Sequence, residues 1–319
     1  MKKIYSFMLE KYKTVRSRYE CPLCKEMYFT RYVNTHTGEY VHPTVGKCSR
    51  LNKCGYHYPP RQYFKDNNIA LQKDSNYKFS VIQYAQNFTS KESYIPLDDL
   101  KSSLKNISAN GFILFLERYF GVAITNALTS SYYIGTSDKW NGSTVFWQID
   151  INGKIRTGEI LLFDYKSGKS IKKPFRHKDW IHTHLKLKDF QLKQCFFAEH
   201  LLSGNNKPIA IVESAKTAII ASVYYPEYVW LASMGLTGLN IEKCKVLKGR
   251  RVTLFPDLKG YDAWKKKQYQ ISHQIPTIQF TDISDILENI ATDDERKEAL
   301  DLADYLLKLN YREFIINSK

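Results

Sequence analysis

Long apolar runs are missing from this chain. Stretches such as Ile209–Val212 and Thr217–Tyr225 fall far short of the roughly 20 residues that a membrane-spanning helix needs. Nor does the start supply a signal core: Met1-Lys2-Lys3-Ile4-Tyr5 opens with charge, and Glu10, Lys11 and Lys13 interrupt the next stretch. A cytoplasmic protein with no membrane partner is expected. The Gly-x-x-x-x-Gly-Lys-Ser/Thr loop is absent, so no helicase motor is encoded. No internal repeat or low-complexity tract occurs. Cysteine is scarce and unevenly placed: of six, four form two close pairs within the first 54 residues, and Cys195 and Cys244 lie in apolar stretches. A secreted disulfide framework would be spread differently, and in a reducing compartment paired thiols favour a metal.

Positive charge is the chain's main excess. Its 47 Lys+Arg against 32 Asp+Glu give a net +15 over 319 residues. Charge of that size speaks to association rather than fold, and points to DNA, RNA or an anionic surface. Hydrophobic residues at 43% and charged residues at 25% are ordinary for a globular protein with a sizeable core.

The pattern divides the chain into four parts. Residues 1–64 hold the cysteines behind a basic, aromatic N-terminal arm. Residues 65–95, including KDNNIALQKDSNYKF, lack periodicity and read as a linker. Residues 96–204 form a strand-rich α+β unit. In it, Asp98 and Asp99 open a helix, Asn110–Phe120 has helical spacing, and Val145–Asp150 is a strand. Asn152-Gly153 marks a hairpin, Lys154–Thr157 and Ile160–Asp164 are two further strands, and Lys166-Ser167-Gly168 is a turn. Residues 205–319 alternate strand and helix. Pro208–Val212, Val229–Ala232, Arg251–Phe255 and Thr277–Phe280 are the strands. Ser214–Ser222, Ile241–Leu247 and Tyr261–Gln270 are helices between them, and Asp293–Leu309 is one long amphipathic helix at the end. That order implies a parallel sheet covered by helices. The fold class expected is multi-domain α/β: a zinc ribbon, an α+β middle unit and a parallel α/β domain.

Cys21-Pro22-Leu23-Cys24 has the spacing of a metal knuckle, since two intervening residues let both sulfurs face one ion. Cys48 and Cys54 are looser, with five residues between them. Tyr28–Val33, Thr37-Gly38-Glu39 and Tyr40-Val41 read as strand, turn, strand, the hairpin of a zinc ribbon. Four thiolates close a tetrahedron and leave no open position, so Zn²⁺ here is structural and supplies roughly 10–16 kcal/mol of folding free energy. His57, three residues after Cys54, is the competing ligand. Basic and aromatic residues interleave in this part, among them Arg31, Lys47, Arg50, Lys53 and Arg61 with Tyr32, Tyr56 and Tyr58. The mixture suits phosphate contacts and base stacking on a single strand; filling a small core is the alternative for the aromatics.

Two carboxylates stand where chemistry is expected. Glu213 comes just after the apolar strand ending at Val212, and Asp257 just after the strand ending at Phe255. In an open α/β sheet, ligands bind at the carboxyl ends of strands. If the two strands are neighbours, both carboxylates converge on one crevice, and in a basic protein Mg²⁺ or Mn²⁺ with a phosphate substrate supplies the counter-charge.

At these residues the sequence resembles a family. Val212-Glu213-Ser214-Ala215-Lys216-Thr217-Ala218, Gly235 and Phe255-Pro256-Asp257 look like the Toprim domain of topoisomerases and bacterial-type primases. The resemblance implies that Glu213 and Asp257, with Lys216 beside them, form a catalytic site holding Mg²⁺ for phosphoryl chemistry. The second Asp of that family's Asp-x-Asp motif falls on Lys259 here; Asp262 is the nearest substitute, and Asp282 and Asp285 resemble a later Asp-x-x-Asp element. Tyr133–Thr136, Thr144–Asp150, Gly153 and Arg156–Gly158 resemble the first half of the bacterial primase core, and a ribbon ahead of it completes the primase order. Phe146–Asp150, Gln194–His200 and Cys54–Tyr58 extend the likeness to zinc-ribbon–Toprim proteins of bacterial mobile elements.

Three activities fit. The first is primase-like nucleotidyl transfer on single-stranded DNA (RNA is the alternative template), using nucleoside triphosphates and a separate helicase. The second is a non-catalytic nucleic-acid binder with Lys259 as a permanent cation in place of metal, and the third a Toprim nuclease. Lys172, Lys173, Arg176 and Lys178 form a basic run suited to a backbone groove. Arg250 and Arg251, with Lys248 and Lys265–Lys267, are expected to hold phosphates beside the acidic crevice. His182-Thr183-His184 reads as a strand-surface pair, and Glu199-His200 as a helix-surface or junction feature.

Overall fold

The computed structural model of the chain describes residues 7–11, 18–35, 37–50, 53–67 and 92–316. The chain forms two compact units, Met1–Phe88 and Thr89–Lys319. Most of the basic arm and of the expected linker lies outside the described residues.

In the first unit, β1 (Phe7–Leu9), β2 (Phe29–Asn34), β3 (Gly46–Cys48) and β4 (His57–Tyr58) make an antiparallel sheet in that order, with helix α1 (Pro60–Asp66) after it. The expected hairpin is present but short: Tyr40 bridges Val33, and Gly38 takes φ +75° in the turn. Phe29 is fully buried beside Cys21 and Cys48, with Tyr19, Tyr28 and Tyr56 packed around them. Gly46 permits this packing, since a β-carbon there would lie 2.2 Å from Thr30 O.

The described part of the second unit begins with residues 92–95, which the sequence pattern assigns to the linker. Ile95 N donates to Ile155 O at 2.8 Å and Ser93 N to Gln191 O at 3.2 Å. Helices α2 (Leu97–Ser103), α3 (Gly111–Phe120) and α4 (Val122–Tyr132) precede a sheet of β5 (Ile134–Ser137), β6 (Ser143–Ile149), β7 (Ile155–Leu161) and β8 (Lys178–Trp180) in that order. Asn110 fixes the start of α3: its Oδ1 accepts from Phe112 N and Ile113 N, and its Nδ2 donates to Gly135 O. Both faces of β6 are buried. Val145, Trp147 and Ile149 pack with Leu100, Ile160 and Ile181, whereas Phe146 faces the main core, the two-residue alternation of a strand. The two strands expected between 154 and 164 are one, β7, which pairs with β6 from Ile155 to Leu161 with a register shift between Gln148 and Ile149. The histidine pair lies on helix α5 (Ile181–His184), not on a strand.

The remaining elements are β9 (Ile209–Val212), α6 (Ala215–Tyr224), β10 (Val229–Ala232), α7 (Ile241–Cys244), β11 (Arg251–Leu254), α8 (Tyr261–Gln274) and β12 (Gln279–Ile283). Their strands form a wholly parallel sheet in the order β10-β9-β11-β12. One core, from Phe112 to Tyr311, joins this sheet to the middle sheet. In place of the single helix expected over 293–309 stand α10 (Asp293–Glu298) and α11 (Leu302–Leu306), with α9 (Ile286–Ile290) before them and α12 (Tyr311–Ile316) after. Thr292 and Asp301 each start a helix with a reciprocal capping box, and Ala299 at φ +52° stops α10. Among the described residues no helix is long and apolar enough to cross a membrane.

Candidate functional site

The four cysteines of the first unit converge. Their sulfurs all lie within 4.8 Å of one another, with Cys21 Sγ to Cys54 Sγ at 3.6 Å and Cys24 Sγ to Cys48 Sγ at 4.0 Å. A tetrahedron with Zn–S near 2.3 Å has sulfur–sulfur edges of about 3.8 Å, so the set fits Zn²⁺. Each pair is closed alike despite its unequal spacing. Lys25, after Cys24, and Gly55, after Cys54, adopt φ +58° and +67°, turning the chain back over the sulfurs. Burial, then the neighbouring thiolates, push the Cys48 thiol up, and a divalent ion offsets that crowding. His57 is not in the quartet: it is exposed, with Nε2 3.0 Å from Tyr32 Oη.

In the second unit, β9 and β11 are hydrogen-bonded parallel neighbours, with Leu254 opposite Ile211 and Phe255 N donating to Ile211 O at 2.8 Å. Glu213 and Asp257 therefore leave the sheet at adjacent carboxyl tips. Glu213 is 5% exposed. Asp257 is half-buried as a residue, yet its Oδ1 is out of solvent and meets no hydrogen-bond donor among the described residues. Burial, and after it the Glu213 charge, raises the Asp257 pKa well above the usual carboxylate range. Gly260 keeps the space open: a β-carbon there would lie 2.8 Å from Glu213 Oε1 and 2.8 Å from Asp257 O. Across the site, Lys267 Nζ and Trp264 Nε1 both donate to Leu236 O, holding α8 against the loop after β10. Gly235 in that loop, at φ +112°, donates its N–H to Glu213 O at 2.8 Å.

Lys216 is not aimed at solvent. Its side chain is 13% exposed, and its Nζ lies 3.2 Å from Asp301 Oδ2 and 3.4 Å from Asp304 Oδ1. Burial opposes its charge, but the two aspartates outweigh that and its pKa is raised. Sequence reasoning missed these aspartates; the Asp-x-x-Asp capping box at 301–304 was the available signal. Asp262, Asp282 and Asp285 are exposed. Asp282 accepts from Ile283 N, and none of the three joins a metal-ligating group with Glu213 and Asp257 among the described residues. Lys259, at φ +68°, is exposed and donates its backbone N–H to Glu288 Oε1 at 2.7 Å. The buried ammonium is that of Lys216, held by Asp301 and Asp304, whereas Lys259 is at the surface.

The basic candidates scatter. Arg31 lies over the Tyr19 ring at 4.0 Å, and Arg50 reaches Glu26 at 3.4 Å and Cys24 Sγ at 3.8 Å. Lys47 is half-buried, and Lys53 and Arg61 are exposed. Lys172, Lys173 and Arg176 are exposed, as are Phe175 and Tyr165, whereas Lys178 is ion-paired with the buried Glu159. Arg250 and Arg251 do not flank the acidic tips. Arg250 donates to Lys207 O at 2.9 Å, and Arg251 begins β11, roughly 10 Å of strand before its carboxyl end. Glu199 is a buried structural acceptor for Phe196 N and Ile151 N, and His200 Nε2 lies 3.0 Å from Ser131 O. A cavity of about 700 Å³ lies elsewhere, against Asp99, Ser103, Asp138, Trp147 and His184. Among the described residues its lining has no lysine or arginine, which makes it a poor phosphate site.

Residues 5–69 match the model of a zinc beta-ribbon finger family, and residues 110–258 match a domain of unknown function, DUF6371. The first unit is thus a zinc ribbon with a complete four-cysteine set, and both acidic residues fall inside the second match. No curated protein matches the chain in sequence. Among solved structures, it is similar to the primase fragment of the bacteriophage T7 primase-helicase, at 14% identity and TM-score 0.35 over 60% of this chain and 69% of that one. The E. coli primase catalytic core gives 14% and 0.33 over 70% and 78%. The Aquifex aeolicus primase (zinc-binding and RNA polymerase domains) gives 11% and 0.36 over 98% and 80%. All three TM-scores are below 0.5.

Proposed function

We propose that the protein is a primase-like nucleic-acid enzyme whose Toprim-type site, Glu213 with Asp257, binds Mg²⁺ or Mn²⁺ for nucleotidyl transfer on single-stranded DNA. One observation carries this reading: two carboxylates stand on adjacent parallel strand tips, with a buried Asp257 oxygen that has no donor among the described residues. Such a pair in a protein of net charge +15 suits a cation that arrives with phosphates. The Toprim-like residue pattern around Glu213 supports it further.

Glu213 and Asp257 would hold the ion, and Gly260 leaves the room it needs. When bound, the ion neutralises triphosphate charge and stabilises the leaving oxygen. The chain's own part is positioning. Lys172, Lys173 and Arg176, with exposed Tyr165 and Phe175, offer a backbone-and-base surface of the kind single strands use. The zinc ribbon presents Lys53 and Arg61 to solvent for the same purpose.

The test is primer synthesis on a single-stranded DNA template with nucleoside triphosphates and Mg²⁺, run beside a DNA-binding assay. Product that Glu213→Gln and Asp257→Asn each abolish, with binding retained, supports the reading. Salt-sensitive DNA binding without any metal-dependent product would establish the non-catalytic binder instead. Metal-dependent strand cleavage would establish a nuclease.

A further inference from the structure

Every carboxylate oxygen of Asp301 and Asp304 already has a partner. Asp301 Oδ1 accepts from Asp304 N at 3.0 Å, and Asp304 Oδ2 accepts from Asp301 N at 3.1 Å, the two halves of the cap that starts α11. The remaining oxygen of each, Oδ2 of Asp301 and Oδ1 of Asp304, faces the Lys216 ammonium. An ion held by either aspartate would compete with the cap or with the lysine. Lys216 in turn lies in the first turn of α6, three residues after Glu213. Leu258 N donates to Leu300 O at 3.3 Å, tying the Asp257 loop to this segment.

Within the acidic site proposed above, on which this rests, we propose that Lys216 is a resident cation: it separates the Asp301/Asp304 pair from the Glu213/Asp257 pair and restricts the site to one exchangeable divalent ion. When an ion binds, Asp257 releases its proton to water and all four carboxylates are ionised; Lys216, with Lys267 across the site, then leaves two negative charges, which one divalent ion balances. Without the Lys216 ammonium three charges remain, more than one divalent ion balances. Lys216 is thus a positioning residue, not a group that meets substrate.

Mn²⁺ binding to the full-length, zinc-loaded protein, monitored by the paramagnetic resonance of free Mn²⁺, tests this without an activity readout. Wild type should bind one Mn²⁺ that Glu213→Gln removes. Lys216→Met should bind its first Mn²⁺ about tenfold more tightly and take up a second. Lys216→Arg should keep one ion at near wild-type affinity. Asp301→Asn with Asp304→Asn acts in the opposite direction: the released ammonium turns to Glu213 and Asp257, and affinity falls about tenfold. That variant decides the matter if Lys216→Met melts early. Two Glu213-dependent ions in wild type, or unchanged binding in the double variant, would overturn the resident-cation role and leave the acidic site standing. No Glu213-dependent ion in wild type would remove the site itself.

Discussion

Gly260 sits against Glu213: a single methyl group on its α-carbon would come within 2.8 Å of Glu213 Oε1. Its backbone, at φ −92° and ψ −18°, is open to any residue, so the requirement for glycine is space and not conformation. Gly260→Ala should cost about 1–3 kcal/mol through overpacking and weaken divalent-ion binding at the same time. Denaturant melts and Mn²⁺ titration check both effects. Wild-type ion affinity in the alanine variant would mean that the space beside Glu213 is not used.

The ribbon should depend on its metal. One Zn²⁺ per chain is expected, and Cys54→Ser should lose it and unfold the first unit, because the ion supplies roughly 10–16 kcal/mol to a small core. His57→Ala should retain full zinc, since the imidazole lies outside the sulfur quartet. Elemental analysis together with near-ultraviolet circular dichroism distinguishes these outcomes. Zinc loss in His57→Ala would reinstate the histidine as a ligand.

The cysteine set and the two acidic strand tips were legible in the sequence for the same reason. Each is a chemical group placed by short-range pattern: close cysteine pairs in one case, a carboxylate just after an apolar-rich strand in the other. Asp301 and Asp304 were not, because the segment 293–309 has a helical period throughout and reads as one helix. Thr292-x-x-Glu295 caps its start, and the interruption lies at Asp301-x-x-Asp304, a second start signal inside what looked continuous. The basic residues misled for a different reason. Arg250 and Arg251 are near Asp257 in sequence, but a strand separates them, and its direction alone puts them at the opposite end of the sheet. Lys259 occupies the expected second Asp position, yet its left-handed backbone leaves the side chain exposed.

Lys259 therefore offers a clean control. Lys259→Gly relieves an unfavourable φ of +68° and should raise stability by up to about 1 kcal/mol. Divalent-ion affinity should change little. A large gain in affinity would show that the Lys259 ammonium reaches the carboxylates after all.

Lys243 should impose an alkaline pH dependence on stability. Its ammonium is buried and donates to Ser233 O at 3.0 Å, and burial lowers its pKa to about 8. Below pH 8 both folded and unfolded chains carry the proton, and the folded state bears the full cost of a buried charge. Between about pH 8 and 10.5 the unfolded chain holds more protons, so stability rises with pH, by about 3 kcal/mol in all. Urea unfolding of wild type and Lys243→Met from pH 7 to 9.5 should show their difference growing in favour of wild type. A difference independent of pH would contradict the assignment.

The most direct measurement is the anomalous scattering of Mn²⁺ in crystals of the full chain. A peak bonded to carboxylate oxygens of both Glu213 and Asp257, with Lys216 still seated between Asp301 and Asp304, is the predicted result. No peak at that pair, or Mn²⁺ held by Asp282 and Asp285 instead, would contradict the account.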